Sequence, residues 1–202
     1  RTRGGALVRG TGTDVDDIVR SVHDLDHSYL AVQGPPGTGK TYVGSHVVAR
    51  LVAEHGYRVG VVAQSHAVVE NMLERIVAAG VPKAQVAKAL KAGGAAEPPF
   101  TPIAKDGYAG FAAEHPEGFV IGGTAWDLSH PGRVPRGSLD LLVIDEAGQF
   151  SLASTIAVSV AAERLMLLGD PQQLPQVSQG THPEPVDTSA LGWVMDGASV
   201  IP

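Results

Sequence analysis

The chain has 202 residues, 44% of them hydrophobic, which is enough to bury one core, so we expect a single domain. Its net charge of −6 is opposite to the basic footprint of an autonomous nucleic-acid-binding domain, so any contact with nucleic acid must be local. The lack of cysteine excludes disulfides and thiolate metal sites, and no apolar run approaches the roughly 18 residues that cross a bilayer, so we expect a soluble cytoplasmic protein without a membrane partner.

Apolar runs bounded by Gly, Pro or Asp recur along the chain and predict buried parallel strands. They cover residues 28–33, 58–63, 119–121, 139–144 and 164–168. Helical spacing of apolar residues predicts helices over residues 40–55 and 67–79, each followed by a glycine that would end it. Because strand and helix alternate, the predicted fold class is α/β, with a mostly parallel sheet flanked by helices.

The alternation fails over residues 81–118, which we interpret as a small helical and loop insertion. A short helix is predicted over residues 83–91, before a stretch rich in Ala, Gly and Pro. Residues 178–185 read as a polar loop, after which Asp187 or Thr188 could cap a short helix that ends near Met195. We therefore place the domain core at about residues 25–177, with a loop and short helix over residues 178–202.

Residues 34–41 read Gly-Pro-Pro-Gly-Thr-Gly-Lys-Thr, between the first predicted strand and the first predicted helix. This is the Walker A pattern, in which backbone N–H groups and the positive end of the helix dipole surround phosphate oxygens. Lys40 would bind the β and γ phosphates, and Thr41 would bind Mg²⁺. The predicted nucleotide-binding residues are Gly34, Pro35, Pro36, Gly37, Thr38, Gly39, Lys40 and Thr41. A glycine-rich connector with an incidental lysine is the alternative.

Two polar segments follow later strands at their carboxyl ends, where ligands bind in open α/β sheets. After residues 139–144, Asp145 would hold Mg²⁺ and Glu146 would take a proton from the attacking water. After residues 164–168, the neutral amide of Gln173 could hydrogen-bond the γ-phosphate. Ordinary polar turns are the alternative for both segments. The sequence thus predicts ATP and Mg²⁺ as cofactors, with Lys40, Glu146 and Gln173 as catalytic residues.

These three segments, which include Asp-Glu-Ala-Gly-Gln at residues 145–149 and Gly-Asp-Pro-Gln-Gln-Leu-Pro at residues 169–175, resemble motifs I, II and III of superfamily 1 helicases. The similar branch contains the nonsense-mediated-decay RNA helicase and the replication helicase-nuclease, whereas AAA+ proteins usually share only the first motif. The resemblance implies a RecA-like domain in which the motif III strand lies between the Walker A and Walker B strands. It also implies an ATP-driven motor that moves along a single strand of DNA or RNA and unwinds duplexes.

Two further segments resemble motifs Ia and Ic, whose loops contact the nucleic-acid backbone in this family. Residues 63–71 resemble motif Ia, with His66 in place of the usual Asn, and residues 122–126 resemble motif Ic. The resemblance implies that Ser65, His66 and Thr124 contact the strand, whereas helix-capping hydroxyls are the alternative interpretation. Trp126 could stack on a base, but we expect it to pack in the interior.

The resemblance covers most of residues 25–177, and we expect the chain to be a piece of a longer protein. The second RecA-like domain of the family, with its arginine finger, would lie beyond Pro202. Because such an arginine contributes on the order of a thousandfold in rate, we expect the chain alone to bind ATP and Mg²⁺ weakly and to hydrolyse ATP hardly at all. The glutamine that reads adenine in the family has no clear counterpart.

The sequence leaves some partners and functions open. A fused nuclease domain, as in some relatives, is a further candidate partner. Two other functions remain as alternatives: an ATPase that remodels protein complexes without nucleic acid, and a nucleotide-gated binding module.

Overall fold

The computed structural model describes residues 2–3, 14–35, 37–90, 97–173 and 182–198. Its centre is a seven-stranded sheet in which neighbouring strands are parallel. In chain order the strands are β1 (Tyr29–Gln33), β2 (Arg58–Val62), β3 (Val86–Ala89), β4 (Thr101–Ile103), β5 (Phe119–Gly123), β6 (Leu141–Ile144) and β7 (Leu165–Gly169). Across the sheet their order is β1-β7-β6-β2-β5-β3-β4. The strand β7 therefore lies between β1 and β6, as the resemblance implied.

Helices cover both faces of the sheet. They are α1 (Asp14–Asp24), α2 (Lys40–His55), α3 (His66–Ala78), α4 (Tyr108–Glu114), α5 (Ala125–Ser129), α6 (Leu152–Ser159) and α7 (Ala190–Met195), with a 3₁₀ helix at Lys83–Gln85. Helices α1, α2 and α3 pack on one face, in a core that contains Val22, Leu51 and Leu73. The other helices pack on the opposite face, in a core that contains Leu128 and Leu191. These layers confirm the predicted α/β class.

The strand β6 shows why continuous apolar runs predicted the strands correctly. Leu141 and Val143 belong to the core on one face of the sheet, and Leu142 and Ile144 belong to the core on the other. A parallel strand covered by helices on both faces needs apolar residues at every position. The predicted strands are all present, with ends that differ by a few residues from the predicted ones.

The strongest helix predictions are also confirmed. Helix α2 spans residues 40–55 as predicted, and Gly56 caps its end with a left-handed φ of 63°, a conformation that costs little only for glycine. Helix α3 begins at His66, one residue before the predicted start. Helix α7 is capped by Ser189, just after the predicted caps, and ends at Met195.

The helix predicted over residues 83–91 is wrong. Of the described residues in this range, 83–90, only Lys83–Gln85 is helical, in a 3₁₀ turn, and β3 follows directly and pairs with β5. Alanine and lysine favour helix by intrinsic propensity, but hydrogen bonding to the edge of β5 and burial of the whole strand outweigh it. The side chain of Lys88 is 1% exposed, and its ammonium donates to Glu70 at 2.8 Å. The insertion thus extends the parallel sheet instead of forming only helix and loop.

Some predicted features lie outside the described residues. They are Pro36, residues 91–96 of the insertion, and the loop that follows Gln173 as far as residue 181. Within the described ranges, none of the helices combines the length and the apolar character that crossing a membrane would require.

Candidate functional site

Three segments that are remote in sequence meet at the carboxyl edge of the sheet. The loop at residues 34–41 follows β1, the Asp145-Glu146 pair follows β6, and the segment from Asp170 to Gln173 follows β7. The strands are direct neighbours, with Gln33 opposite Gly169 and Ile144 opposite Leu167. The predicted nucleotide-site residues that the structure describes are therefore brought to one side of the molecule.

The loop after β1 is closed by its own hydrogen bonds. The hydroxyl of Thr38 donates to the carbonyl of Pro35 at 2.8 Å. The ammonium of Lys40 donates to the carbonyl oxygens of Gly34 and Pro35, the latter at 2.7 Å. Helix α2 begins at Lys40, so the positive end of its dipole lies at this loop. The loop has the features of an anion site: a charged donor and a helix N-terminus at one place.

A cavity of about 480 Å³ lies beside this loop, a volume typical of small-molecule sites. Gly34, Thr38 and Lys40 line one side of it. Asp14 and Asp17 of α1 line another, so this helix, which was not predicted, forms a wall of the candidate nucleotide site.

Asp145 is a buried carboxyl group at the end of β6. It is 5% exposed, and its Oδ1 accepts the backbone N–H of Glu146 at 3.0 Å. The pKa of Asp145 is raised to about 6, mainly by burial. The hydrogen bond from the backbone N–H of Glu146 and the charges of Lys40 and Arg75 oppose this rise, and the carboxylate of Glu146 adds to it. Thr41 and Asp145 offer hydroxyl and carboxylate oxygens, the donor set that Mg²⁺ prefers, so these residues fit a magnesium ion.

The acidic turn after Asp145 packs tightly against the segment after β7. Glu146 has a φ of 55°, an uncommon conformation for a residue other than glycine. A Cβ atom at Gly148 would lie 2.1 Å from the carbonyl oxygen of Asp170, so only glycine fits there. The N–H of Ala147 also donates to the carbonyl of Leu168 at 2.8 Å. The motif II turn and the motif III segment are therefore in direct backbone contact.

Glutamine side chains connect these segments further. The side-chain amide of Gln149 donates to Oε1 of Gln173 at 3.1 Å. The side-chain amide of Gln64, which follows β2, donates to the backbone carbonyl of Gln149. Gln64 and Gln149 were not among the predicted site residues, although Gln64 lies in the segment that resembles motif Ia and Gln149 in the one that resembles motif II.

The residues predicted to contact nucleic acid lie at the same edge, on the next strands of the sheet. Ser65 and His66 follow β2, and Thr124 follows β5, whose residue Gly123 is paired with Val62. The hydroxyl of Ser65 caps α3 by accepting the N–H of Val68 at 3.3 Å. A hydroxyl that accepts in this way still carries its own hydrogen to donate.

Thr124 is more fully engaged, because it forms a capping box with Asp127. Its hydroxyl donates to Oδ2 of Asp127 at 2.7 Å, and its backbone N–H donates to the same oxygen at 2.9 Å. Arg133 holds the other carboxylate oxygen at 2.7 Å. Thr124 would have to release Asp127 before its hydroxyl could donate to a phosphate.

The expectation that Trp126 packs in the interior is wrong. Trp126 lies in the first turn of α5, two residues after Thr124, and it is 82% exposed. The capping box turns the chain at this point, while Leu128 of the same short helix fills the core. An indole ring is thus presented to solvent beside the predicted nucleic-acid residues.

The burial of Asp145 has a measurable effect on stability. The pKa of Asp145 is about 6 in the folded protein, against 3.8 for an unperturbed aspartate. The free energy of unfolding is therefore highest below pH 3.8, where Asp145 is protonated in both states, and it falls as the pH rises through about 6. Asp145→Asn is neutral at every pH, so we expect it to be more stable than the wild type near neutral pH by up to about 3 kcal/mol. Chemical denaturation without nucleotide or metal, repeated across the pH range, measures this difference.

Asp140 provides a matched control, because it precedes the same strand and has the opposite shift. Burial alone would raise the pKa of Asp140, but hydrogen bonds from the guanidinium and backbone N–H of Arg58 outweigh burial and lower it. Asp140→Asn should therefore destabilise the protein at neutral pH. If both substitutions destabilise the protein at neutral pH, burial does not raise the pKa of Asp145 as described.

Comparison with known protein families identifies the domain. The family described as AAA domain matches residues 15–189. DNA replication ATP-dependent helicase/nuclease JHS1 of Arabidopsis thaliana is 27% identical over 155 residues, which cover 76% of this chain and 12% of that protein. The chicken (Gallus gallus) helicase/nuclease DNA2 is 26% identical, over 78% of this chain and 16% of that protein. The chain therefore spans less than a fifth of the length of these curated relatives.

A shorter match and solved structures agree with this result. Over 54 residues, or 27% of this chain and 5% of the relative, the chain is 43% identical to the regulator of nonsense transcripts 1 homolog of Drosophila melanogaster. Its fold is similar to the UvsW helicase of bacteriophage T4, with a TM-score of 0.53 and 11% identity over 78% of this chain and 52% of that one. It is also similar to the restriction-modification enzyme LlaGI, with a TM-score of 0.54 and 14% identity over 85% of this chain and 18% of that one.

Two of these curated relatives are named ATP-dependent helicase/nucleases, and a third is named a regulator of nonsense transcripts, which agrees with the branch that the motifs resembled. The fold of the strands and the order of the motif-bearing segments agree with that resemblance. The chain belongs to the AAA domain family, and its fold is shared with a solved helicase structure.

Proposed function

We propose that this chain is the first ATP-binding and ATP-hydrolysing motor domain of a superfamily 1 helicase, which couples hydrolysis to movement along single-stranded nucleic acid and to unwinding. The observation that carries the proposal is the meeting of the Walker A loop, Asp145-Glu146 and Gln173 at the carboxyl ends of β1, β6 and β7. The same edge also carries Ser65, His66 and Thr124, so one side of the sheet serves both ligands.

Lys40 is the central residue for binding the triphosphate. Its ammonium, which donates to the loop carbonyls of Gly34 and Pro35, would turn to the β and γ phosphate oxygens. The backbone N–H groups of Gly37 and Gly39 and the N-terminus of α2 would contribute further donors. The hydrogen bond from the Thr38 hydroxyl to the carbonyl of Pro35 helps to shape the loop.

Thr41 and Asp145 would hold Mg²⁺, which when bound supplies positive charge to the phosphate oxygens. Glu146 lies next to Asp145 and is partly exposed, so its carboxylate can accept a proton from the attacking water. Gln173 would donate its side-chain N–H to the γ-phosphate. In this arrangement adjacent carboxylates divide the duties of metal ligand and general base.

Ser65 and His66 would contact the nucleic-acid backbone, and Thr124 would do so after releasing Asp127. Contacts to phosphates position a strand without reading its sequence, and they do not distinguish DNA from RNA. The relatives support a nucleic-acid partner: two are named DNA replication helicase/nucleases, and LlaGI was solved with a DNA substrate mimic.

A second RecA-like domain in the same protein would complete the motor. We propose that it closes against the carboxyl edge of this domain, supplies the arginine finger, and thereby changes the grip on the strand with each ATP bound and hydrolysed. Trp193, which is 55% exposed on α7, is a candidate contact for it. The names of the helicase/nuclease relatives make a nuclease domain a further candidate partner.

The exposed Trp126 allows a direct test of nucleic-acid binding. The chain has 2 tryptophans, so in a Trp193→Phe background Trp126 is the sole tryptophan. We expect oligothymidylate to quench its fluorescence in a salt-dependent manner, because a stacked base contacts the indole face. Trp126→Ala should weaken binding by roughly 5- to 150-fold, the effect of losing about 1–3 kcal/mol of stacking.

Trp193→Ala is the matched control, since it also removes an exposed indole, and it should change the affinity of the isolated chain by less than about twofold. Equal losses for both substitutions would argue against stacking at Trp126. Absence of any strand binding, together with ATPase activity that nucleic acid does not stimulate, would instead favour the ATPase that remodels protein complexes.

A further inference from the structure

Three glutamines form a continuous chain of contacts across the carboxyl edge of the sheet. Gln64 lies between β2 and the cap residue Ser65, and its side chain donates to the backbone carbonyl of Gln149. Gln149 in turn donates its side-chain amide to Oε1 of Gln173 at 3.1 Å. The chain thus begins beside the candidate nucleic-acid residues and ends at the candidate sensor of the γ-phosphate.

The direction of these hydrogen bonds determines which atom Gln173 presents. A phosphate oxygen only accepts hydrogen bonds, so the sensor must present its side-chain nitrogen to it. Because Gln149 donates to Oε1 of Gln173, the oxygen is engaged and the nitrogen is the atom left to face a phosphate. Gln149 therefore fixes the orientation of the sensor amide, and Gln64 fixes the position of Gln149.

The backbone around these contacts leaves little room for the segments to move independently. The N–H of Asp145 donates to the carbonyl of Val62 at 3.0 Å, two residues before Gln64. On the other side, Gly148 abuts the carbonyl of Asp170. A strand that contacts Ser65 and His66 therefore acts on a segment joined through Gln64 to the turn that orients Gln173.

We propose that Gln64 is a positioning residue that couples the two ligands, so that a bound strand orients Gln173 through Gln149 and, reciprocally, bound ATP changes the affinity for the strand. This inference rests on the proposed function. Gln64 itself contacts neither the nucleotide nor the strand. Its role is therefore measured as the effect of bound ATP on the affinity for the strand.

The test compares the affinity of the full chain for labelled oligothymidylate with and without a non-hydrolysable ATP analogue and Mg²⁺. The ratio of the two dissociation constants should be on the order of fivefold or more for the wild type. Gln64→Met keeps the length of the side chain and removes the donor, so the ratio should fall to about one. Gln64→Lys retains an N–H donor, so its ratio should lie above that of Gln64→Met. The added charge changes the affinity for the strand both with and without the ATP analogue, and the ratio corrects for this change.

Gln85→Met is the matched control, because Gln85 lies in the 3₁₀ helix, where it donates to Glu117 at 3.0 Å, outside the glutamine chain. It should keep the wild-type ratio. In Gln149→Met, as in Gln64→Met, the ratio of the two dissociation constants should fall to about one. The double variant should show the same ratio as either single variant, as expected for two residues that act in series. Circular dichroism verifies that each variant is folded.

The outcomes separate the inference from the function on which it rests. A wild-type chain that binds no strand overturns the proposed function. If the wild type binds both ligands with a ratio near one, or if Gln64→Met or Gln149→Met keeps the wild-type ratio, the inference fails and the proposed motor domain stands.

Discussion

Lys40→Ala is expected to weaken ATP binding by at least about 100-fold, which corresponds to roughly 3 kcal/mol. The reason is that the ammonium of Lys40 is the cation placed within the Walker A loop, at the N-terminus of α2. Its removal leaves the backbone N–H groups and the helix dipole, which are partial charges only. Titration with a fluorescent ATP analogue in the presence of Mg²⁺ measures the loss.

Lys105→Ala is a suitable control, since Lys105 is an exposed lysine that follows β4. It should leave the affinity for ATP within about twofold of the wild type. Binding of the analogue that survives Lys40→Ala would show that the cavity beside α1 holds the nucleotide without the lysine, and the assigned role of the loop would be wrong.

Glu146→Gln is expected to leave ATP bound while it slows hydrolysis by roughly 100- to 10,000-fold, the usual contribution of a general base. An amide of the same shape cannot take a proton from water. Glutamine also adopts the left-handed backbone of residue 146 at about the same cost as glutamate, so the φ of 55° should be retained. Phosphate release, measured with nucleic acid present on the protein that carries both proposed motor domains, reports the rate.

The same protein with Glu114→Gln controls for the loss of a negative charge, because Glu114 is exposed at the end of α4. It should hydrolyse ATP at the wild-type rate. Loss of binding as well as hydrolysis in Glu146→Gln would assign the carboxylate to nucleotide binding instead of proton transfer. If hydrolysis is absent in the wild type while ATP binding persists, the nucleotide-gated binding module becomes the better description.

The strands and helices that were predicted correctly are those in which a single physical requirement determines the residue types. Burial on both faces makes β6 apolar throughout, and a glycine directly after α2 marks its end. Helices α1 and α6 gave no comparable signal. The first is rich in aspartate, and the second contains weak helix formers such as Thr155 and Val158, which are buried where α6 packs beside α5 and α7.

The site was predictable to the extent that it follows from strand ends. Parallel strands align their carboxyl ends, so motif residues after β1, β6 and β7 had to meet at one edge. Contacts between side chains could not be predicted in this way. Three features depend on the path of a turn, which the spacing of apolar residues does not predict. They are the hydrogen bond from Gln64 to Gln149, the hydrogen bond from Thr124 to Asp127 and the exposure of Trp126.

The close approach of Gly148 to Asp170 limits how this domain can respond to its ligands. Since not even a methyl group fits between them, the acidic turn and the sensor segment cannot slide past each other. In the proposed motor, loss of the terminal phosphate would then displace both segments as one rigid unit, and the Walker A loop is the part of the nucleotide site left to change its shape.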